Sequence, residues 1–177
     1  MTVKFGNFSR AEPAIAAAAA IVAAGVLAIL GAWGFQYLLG FQPCPLCLEQ
    51  RYAYYVSIPL AALLLLALNY GGSRKTILAG FAVIAAAMAW NAGLGVYHSG
   101  VEWKLWAGPT DCSGPLNDLG SAGGLMKQLQ SIRVVRCDEA AWRFLGLSLA
   151  GYNVLISLAL AGAALLGLRA TLSRPAD

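Results

Sequence analysis

Charged residues are scarce in this chain. Only 11% of its 177 residues are Asp, Glu, Lys or Arg, whereas 59% are hydrophobic. Soluble domains carry roughly 25% charged residues, so this composition excludes a fully water-exposed surface and predicts a membrane protein. The formal net charge of +4 does not call for a nucleic-acid partner, because basic residues commonly flank membrane helices on the cytoplasmic side. No internal repeat is visible, so residues 1–177 are expected to form one domain.

Long stretches of the chain lack charge altogether. The four uncharged tracts are residues 13–48, 52–73, 76–101 and 144–168. Each reaches the roughly 20 residues that a membrane-spanning helix needs, and each is apolar on every face, unlike the alternating strands of a membrane β-barrel. We therefore predict an all-α membrane protein, an antiparallel bundle of four transmembrane helices. The helices are predicted near residues 14–36, 51–70, 76–97 and 144–168.

The first tract could also be a signal peptide, because Lys4 and Arg10 precede it. Its apolar part continues to Leu39, well beyond the roughly 7–15 residues of a signal core. We therefore expect a helix that is kept in the mature protein. The tracts are rich in Ala and Gly, which predicts close packing between helices.

The basic residues of the short segments predict the orientation in the membrane. All of them except Arg51 fall on one side of the bundle; they are Lys4, Arg10, Arg74, Lys75, Arg169 and Arg174. By the positive-inside rule both termini are then cytoplasmic, and the loops at about 37–50 and 98–143 lie on the opposite side. The long loop holds five basic residues of its own, which five acidic residues balance.

The loop at 98–143 is longer than most connections, which rarely exceed about 12–15 residues, so it is expected to have a function. Gly108-Pro109 and Gly114-Pro115 predict turns, and Gly120 to Gly124 predicts a hinge. A short amphipathic helix is predicted after the hinge, on apolar residues at helical spacing: Leu125, Met126, Leu129, Ile132 and Val135. It would lie in the membrane interface or pack against the rest of the loop.

Cysteine is scarcer still, with four residues, and the predicted topology places all four outside the cytoplasm. They are Cys44, Cys47, Cys112 and Cys137. An even number in an oxidising compartment favours disulfides, and three pairings are possible. A zinc site is the alternative, but structural zinc sites usually take two short ligand clusters, and Cys112 and Cys137 are far apart in the sequence.

Cys44 and Cys47 form the only close pair and precede a predicted helix. A disulfide over so short a loop stabilises a fold little, so it is free to take part in exchange. Cys47 is expected near the amino end of the helix, where unpaired N–H groups favour a thiolate, and Arg51 follows one turn later. Arg51 could instead simply extend to the lipid headgroups, although it alone departs from the one-sided charge pattern.

The second cysteine pair and the single histidine each have a structural and a functional interpretation. Cys112 and Cys137 enclose 24 residues, and a disulfide between them could stabilise the loop by roughly 3 kcal/mol. Equally, Cys112 lies in a predicted exposed turn, where a partner thiol could attack it. His98 could be an interfacial hydrogen-bonding residue, or its ring could bind a quinone carbonyl.

Three features of the chain together resemble the bacterial DsbB family of disulfide-bond formation proteins. They are the four spans, the motif Cys44-Pro-Leu-Cys47-Leu-Glu-Gln-Arg51, and the loop segments His98-Ser-Gly-Val-Glu102 and Gly108-Pro-Thr-Asp-Cys112. The resemblance implies a protein of the inner membrane whose cysteines are periplasmic. It also implies that a DsbA-like thioredoxin-fold protein is the partner. Ubiquinone, or menaquinone in its place, is the implied electron acceptor.

The resemblance further implies a relay through the four cysteines. A reduced partner would attack Cys112, which is paired with Cys137, and electrons would pass to Cys44 and Cys47 through a transient Cys44–Cys137 bond. Cys47 beside Arg51 would then reduce the quinone, with His98 nearby. Two rivals stay open: a quinone-linked reductase like the vitamin K epoxide reductases, in which the close pair lies late in the chain, and a structural membrane protein with stapled loops.

Overall fold

Four long helices dominate the structure, a computed structural model that describes residues 8–109, 133–134 and 137–173. They are α1 Phe8–Trp33, α2 Pro45–Tyr70, α3 Arg74–Glu102 and α4 Leu149–Leu172. A π-helical turn, Gly34–Leu38, continues α1. All four helices are long and apolar enough to cross a membrane, so the chain is a multi-pass membrane protein.

The helices form a bundle in which each packs against two neighbours. The backbones of α1 and α3 each lie close to those of α2 and α4, whereas within the described residues the diagonal pair α2 and α4 meets mainly through long polar side chains. The core between them is built of Ala, Leu, Ile and Phe side chains such as Ile21, Leu64 and Phe81. The predicted four-helix membrane fold is confirmed at this level.

Glycines lie where helices approach one another most closely. A Cβ atom added at Gly80 would meet Leu64 of α2 at 2.6 Å, and one at Gly167 would meet the Phe81 ring at 2.5 Å. Only glycine leaves room for these neighbours without a shift. Small residues therefore permit close helix packing, as the composition of the tracts predicted.

The turn between α2 and α3 closes the end of the bundle away from the cysteines. Gly71 ends α2 in the left-handed conformation, with φ +82°, and the Ser73 hydroxyl caps α3 by accepting from the backbone N–H of Thr76 at 3.4 Å. Arg74 then donates to the carbonyl oxygens of Thr171 and Leu172, at 3.3 and 2.8 Å. These bonds tie the start of α3 to the end of α4.

The structure corrects the predicted helix boundaries. α1 begins at Phe8, before residue 14, and α3 continues beyond residue 97 to Glu102. α2 begins at Pro45 instead of residue 51, because Cys44 caps it and a proline suits the first helical position. The predicted outer loops 37–50 and 98–143 are shortened accordingly.

α4 begins at Leu149 instead of residue 144, because the preceding residues form a hairpin. Strands β3 Arg143–Phe144 and β4 Leu147–Ser148 pair antiparallel. The two residues between them, Leu145 and Gly146, have φ of 49° and 83°, as a tight two-residue hairpin turn requires. The Ser148 hydroxyl then caps α4 by accepting from the Gly151 N–H at 3.2 Å.

A second small sheet joins the two outer segments near the cysteines. Strand β1 Phe41–Gln42 pairs in parallel with strand β2 Arg133–Val134. This contradicts the predicted amphipathic helix at residues 133–134, which are extended and paired with a strand. The remainder of that helix, with the predicted hinge, lies outside the described residues.

Candidate functional site

The two cysteines of the close pair lie together at the amino end of α2. Their Sγ atoms are 2.7 Å apart, and the Cys44 sulfur accepts the backbone N–H of Cys47 at 3.2 Å. Cys44, rather than Cys47, is thus the residue that caps the helix. The pKa of the Cys44 thiol is nevertheless raised above its usual range, because the thiol hydrogen-bonds to the Cys47 sulfur and because it is buried.

His98 of α3 lies beside this pair and is held by Gln50 of α2. The Gln50 amide donates to His98 Nδ1 at 2.9 Å, and His98 Nε2 lies 3.8 Å from the Cys44 sulfur. Because Nδ1 accepts this bond, the neutral ring carries its proton on Nε2, which faces the cysteines. The structure therefore brings together His98 and the cysteine pair, as the sequence analysis expected.

Arg51 lies one turn after Cys47 and is held in place. Its guanidinium donates through Nη1 to the side-chain oxygen of Gln36, in the π-helical turn, at 2.7 Å. Arg51 also lies on the wall of the cavity described below. Its charge acts on the Cys47 sulfur.

Glu102, the last residue of α3, is a member of the site that the sequence analysis missed. Its side chain is only 5% exposed, its Oε1 lies 3.9 Å from His98 Nε2, and its Oε2 is buried without a hydrogen-bond partner. In the sequence it counted as one of the acidic residues that balance the charge of the long loop. Its spacing of four residues from His98, on a helix that runs five residues past its predicted end, was the signal that could have identified it.

A buried polar network continues from Gln50 into the bundle, and the sequence analysis missed it as well. Asn153 of α4 donates to the Gln50 carbonyl at 2.6 Å and accepts the Tyr54 hydroxyl at 2.7 Å. Asn91 of α3 donates to Ser157 at 2.9 Å and to Asn153 at 3.3 Å. Polar side chains at this depth in membrane helices are costly unless they pair, so this network fixes the position of Gln50 from three helices.

A cavity of about 360 Å³ opens beside the cysteine pair. Its wall is mostly apolar, with Leu27, Ile29, Phe35 and Ile156 among its residues, and it has a few polar groups at one end. The polar and reactive residues on its wall are Cys47, Gln50, Arg51, Tyr54, His98, Glu102 and Asn153. An apolar pocket with a few convergent polar groups is the usual form of a small-molecule site.

The two sulfurs of the pair face different surroundings. Cys44 is fully buried in a cluster with Leu46, Val101 and Cys137 and does not line the cavity. Cys47 packs against this cluster but also lies on the wall of the cavity. The structure thus brings Cys137, which is 90 residues away in the sequence, to the Cys44 side of the pair. Cys112 lies outside the described residues.

Comparison with known proteins identifies the family. The family model described as disulfide bond formation protein DsbB matches residues 14–167. The chain belongs to the DsbB family. Disulfide bond formation protein B of Xanthomonas campestris strain 8004 is 32% identical over 132 residues, which cover 71% of this chain and 73% of that protein.

Two further relatives carry the same name. The protein of Marinobacter nauticus is 31% identical, with 75% of this chain and 77% of the relative covered. That of Polaromonas naphthalenivorans is 27% identical, with 88% and 91% covered. No solved structure matches the chain. Membership of the DsbB family implies a role in disulfide bond formation, and it suggests that the site described above is that of a disulfide oxidoreductase.

Proposed function

We propose that this protein is an inner-membrane protein-disulfide oxidase that reoxidises a periplasmic DsbA-like dithiol protein and passes the electrons to a membrane quinone. The observation that carries the proposal is the asymmetry of the cysteine pair. Cys44 lies beside Cys137, and Cys47 lies on the wall of an apolar cavity. In a relay between a protein thiol and a lipid-soluble acceptor, one sulfur of the disulfide must reach the protein thiol and the other must reach the acceptor.

The thiol half of the relay uses Cys112, Cys137 and Cys44. The reduced partner attacks the Cys112–Cys137 disulfide at Cys112 and forms a mixed disulfide, which releases Cys137 as a thiolate. Cys137 then attacks Cys44 of the Cys44–Cys47 disulfide, and Cys47 leaves as a thiolate. The second partner thiol attacks the partner sulfur of the mixed disulfide and releases Cys112. Cys112 then attacks Cys137 and displaces Cys44 as a thiolate. The partner leaves oxidised, the loop disulfide is restored, and two electrons rest on Cys44 and Cys47.

The acceptor half uses the cavity. A quinone, ubiquinone in our proposal, supplies a two-electron and two-proton acceptor, and its apolar ring with carbonyl oxygens suits a mostly apolar wall with polar groups at one end. Cys47 presents its sulfur there. Arg51 is positioned by Gln36 to stabilise negative charge on that sulfur or on a carbonyl oxygen, and His98 offers an Nε2–H donor.

The distribution of charge supports the proposed orientation. Arg74 and Lys75, in the first turn of α3, and Arg169, in the last turn of α4, lie at the end of the bundle opposite the cysteines. Under the positive-inside rule that end is cytoplasmic, so both termini are cytoplasmic and the cysteines face the periplasm. An oxidising compartment is where exchangeable disulfides persist.

The test is a quinone-reduction assay with purified protein, ubiquinone and a reduced DsbA-like protein. We expect a loss of quinone absorbance that disappears with Cys44→Ala. Arg51→Gln should raise the apparent KM for quinone about tenfold or more, because it removes one charge-assisted contact of roughly 1.5–3 kcal/mol. Lys75→Gln, an exposed cation at the other end of the bundle, is the matched control and should behave like wild type. Absence of quinone reduction by the wild type would refute the proposal.

A further inference from the structure

The reduced site has the donors of a metal centre. Among the described residues the Sγ atoms of Cys44 and Cys47 and a ring nitrogen of His98 all lie within 4.8 Å of one another. Thiolate and imidazole are the ligands that zinc and its relatives prefer. Glu102 adds a carboxylate: its Oε1 is 3.9 Å from His98 Nε2, and its Oε2 is buried and has no partner.

We propose that Cys44, Cys47, His98 and Glu102 form a redox-gated site that binds a zinc-like divalent cation only when the cysteine pair is reduced. Binding exchanges two thiol protons for the metal ion, and no electron is transferred. Oxidation to the Cys44–Cys47 disulfide removes two of the four ligands and releases the ion. On the function proposed above, an occupied site holds the pair in its reduced form and stops electron transfer.

The distances are close to what such a centre needs. Bonds of about 2.3 Å to sulfur and 2.0 Å to nitrogen or oxygen place the ligands of a tetrahedral ion about 3.3–3.8 Å apart. The 3.8 Å between Cys44 Sγ and His98 Nε2 fits. The Glu102 carboxylate is 3.9 Å from Nε2 but is not among the atoms that lie within 4.8 Å of one another, so it must move towards the sulfurs by about 1 Å or more. The two sulfurs, now 2.7 Å apart, must separate by about 1 Å, for which a rotation of the half-buried Cys47 side chain suffices.

The charges of the buried site also balance. Two thiolates, one carboxylate and a divalent cation sum to −1, and the guanidinium of Arg51, whose charge acts on Cys47, brings the total to zero. Arg143 also acts on Glu102, but it is exposed and stays outside the buried cluster. A buried cluster without net charge avoids most of the cost of desolvation. A metal ion at Nε2 leaves the ring proton on Nδ1, so the Gln50 amide must turn its carbonyl to His98 and give up the bond from Asn153; in that orientation it supplies the outer support that ligating histidines usually have.

Metal binding can be measured without quinone or partner. The double variant Cys112→Ser/Cys137→Ser keeps only the close cysteine pair. This protein is reduced, freed of reductant and titrated anaerobically with Co²⁺. We expect one ion per chain, with a thiolate-to-cobalt charge-transfer band and the intense visible bands of a tetrahedral ion. Oxidised protein should show neither. A parallel titration with diamagnetic Zn²⁺ can be followed by NMR on the single histidine of the chain: its ¹⁵N signals should change from those of an Nε2–H ring to those of an Nδ1–H ring.

Variants separate this site from a simple dithiol site. His98→Ala and Glu102→Gln should each weaken Co²⁺ binding at least tenfold, whereas Glu49→Gln, which removes an exposed carboxylate of α2, should not. Unchanged affinity in both of the first two variants, or an octahedral spectrum without charge transfer, would overturn the proposal.

Inhibition of turnover then tests the consequence. Zn²⁺ should inhibit quinone reduction by the wild type, and inhibition of Glu102→Gln, relative to its own uninhibited rate, should need at least tenfold more Zn²⁺. If Co²⁺ binds as expected but Zn²⁺ leaves turnover unchanged, the metal site stands and the proposed electron route through Cys44 and Cys47 fails. If Co²⁺ does not bind while quinone reduction proceeds, the metal site fails alone.

Discussion

Replacing Gln50 by leucine should allow the His98 ring to populate both of its neutral tautomers instead of one. Gln50 joins two buried groups, donating to His98 Nδ1 at 2.9 Å and accepting from Asn153 Nδ2 at 2.6 Å. Leucine has a similar size but leaves both groups without a partner. Hydrogen bonds inside membrane bundles contribute about 0.6 kcal/mol on average and up to about 1.7, so we expect the free energy of unfolding to fall by about 1–3 kcal/mol.

The single histidine makes the effect directly measurable. In ¹⁵N-histidine NMR of the wild type, the neutral ring should show Nε2–H, because Gln50 donates to Nδ1. Gln50→Leu should give a mixture of the two neutral forms. Gln50→Glu should favour Nδ1–H, because a carboxylate can only accept, while it still accepts from Asn153. Unfolding in denaturing detergent supplies the energetic measurement on the same samples.

Two outcomes would refute this reasoning. A wild-type ring with its proton on Nδ1 would mean that the Gln50 amide has the opposite orientation, so that His98 could not present an N–H to the cysteines. A Gln50→Leu spectrum identical to that of the wild type would mean that another group orients the ring. Loss of folding in Gln50→Leu alone would leave Gln50→Glu, which keeps the bond to Asn153, as the deciding variant.

Two other predictions concern packing and thiol reactivity. Gly167→Ala should lower the free energy of unfolding by about 1–3 kcal/mol, because the new Cβ would lie 2.5 Å from the buried ring of Phe81. Gly162→Ala is the control, because a Cβ at that position meets nothing within 4 Å. Equal losses of stability for the two variants in a detergent-unfolding assay would contradict the packing argument. In reduced protein, maleimide should label Cys47 before Cys44 at pH 7. Labelling of Cys44 should become faster only at a pH well above that at which an ordinary thiol loses its proton, because the raised pKa of Cys44 keeps it protonated. Mass spectrometry reads both sites, and faster labelling of Cys44 at neutral pH would contradict the assignment.

The four spans and the reactive pair could be predicted from sequence because their signals are local. A tract without charge is recognisable residue by residue, and two cysteines three residues apart are close in any conformation. Arg51 follows from the same logic, since residues four apart share a helix face. The predicted helix ends were less accurate. The predicted start of α2 was the charged residue Arg51, whereas the helix begins at Pro45 and is capped by Cys44.

The residues that orient the site could not be predicted because their contacts are tertiary. Gln50 meets His98 across 48 residues and Asn153 across 103. Each reads as an isolated polar residue until the bundle brings them together. Asn91 and Asn153, inside apolar tracts, were nevertheless a usable signal, since polar groups within membrane helices usually have a functional or packing reason. Glu102 was obscured by its position, because it follows an uncharged tract and reads as part of a loop.

The position of Cys44 as the helix cap explains how one short motif can serve two partners. Three residues apart within a regular helix, both sulfurs would lie on nearly the same face and both would reach the cavity. Cys44 instead has extended backbone angles, φ −73° and ψ 165°, because it precedes the first helical turn. Its sulfur therefore turns back over the helix end towards Cys137, while the Cys47 sulfur stays on the helix face at the cavity. Proline at the next position keeps the helix from extending through Cys44, since the residue before a proline disfavours helical angles. Pro45 thus helps to give the two sulfurs different surroundings, as the proposed relay requires.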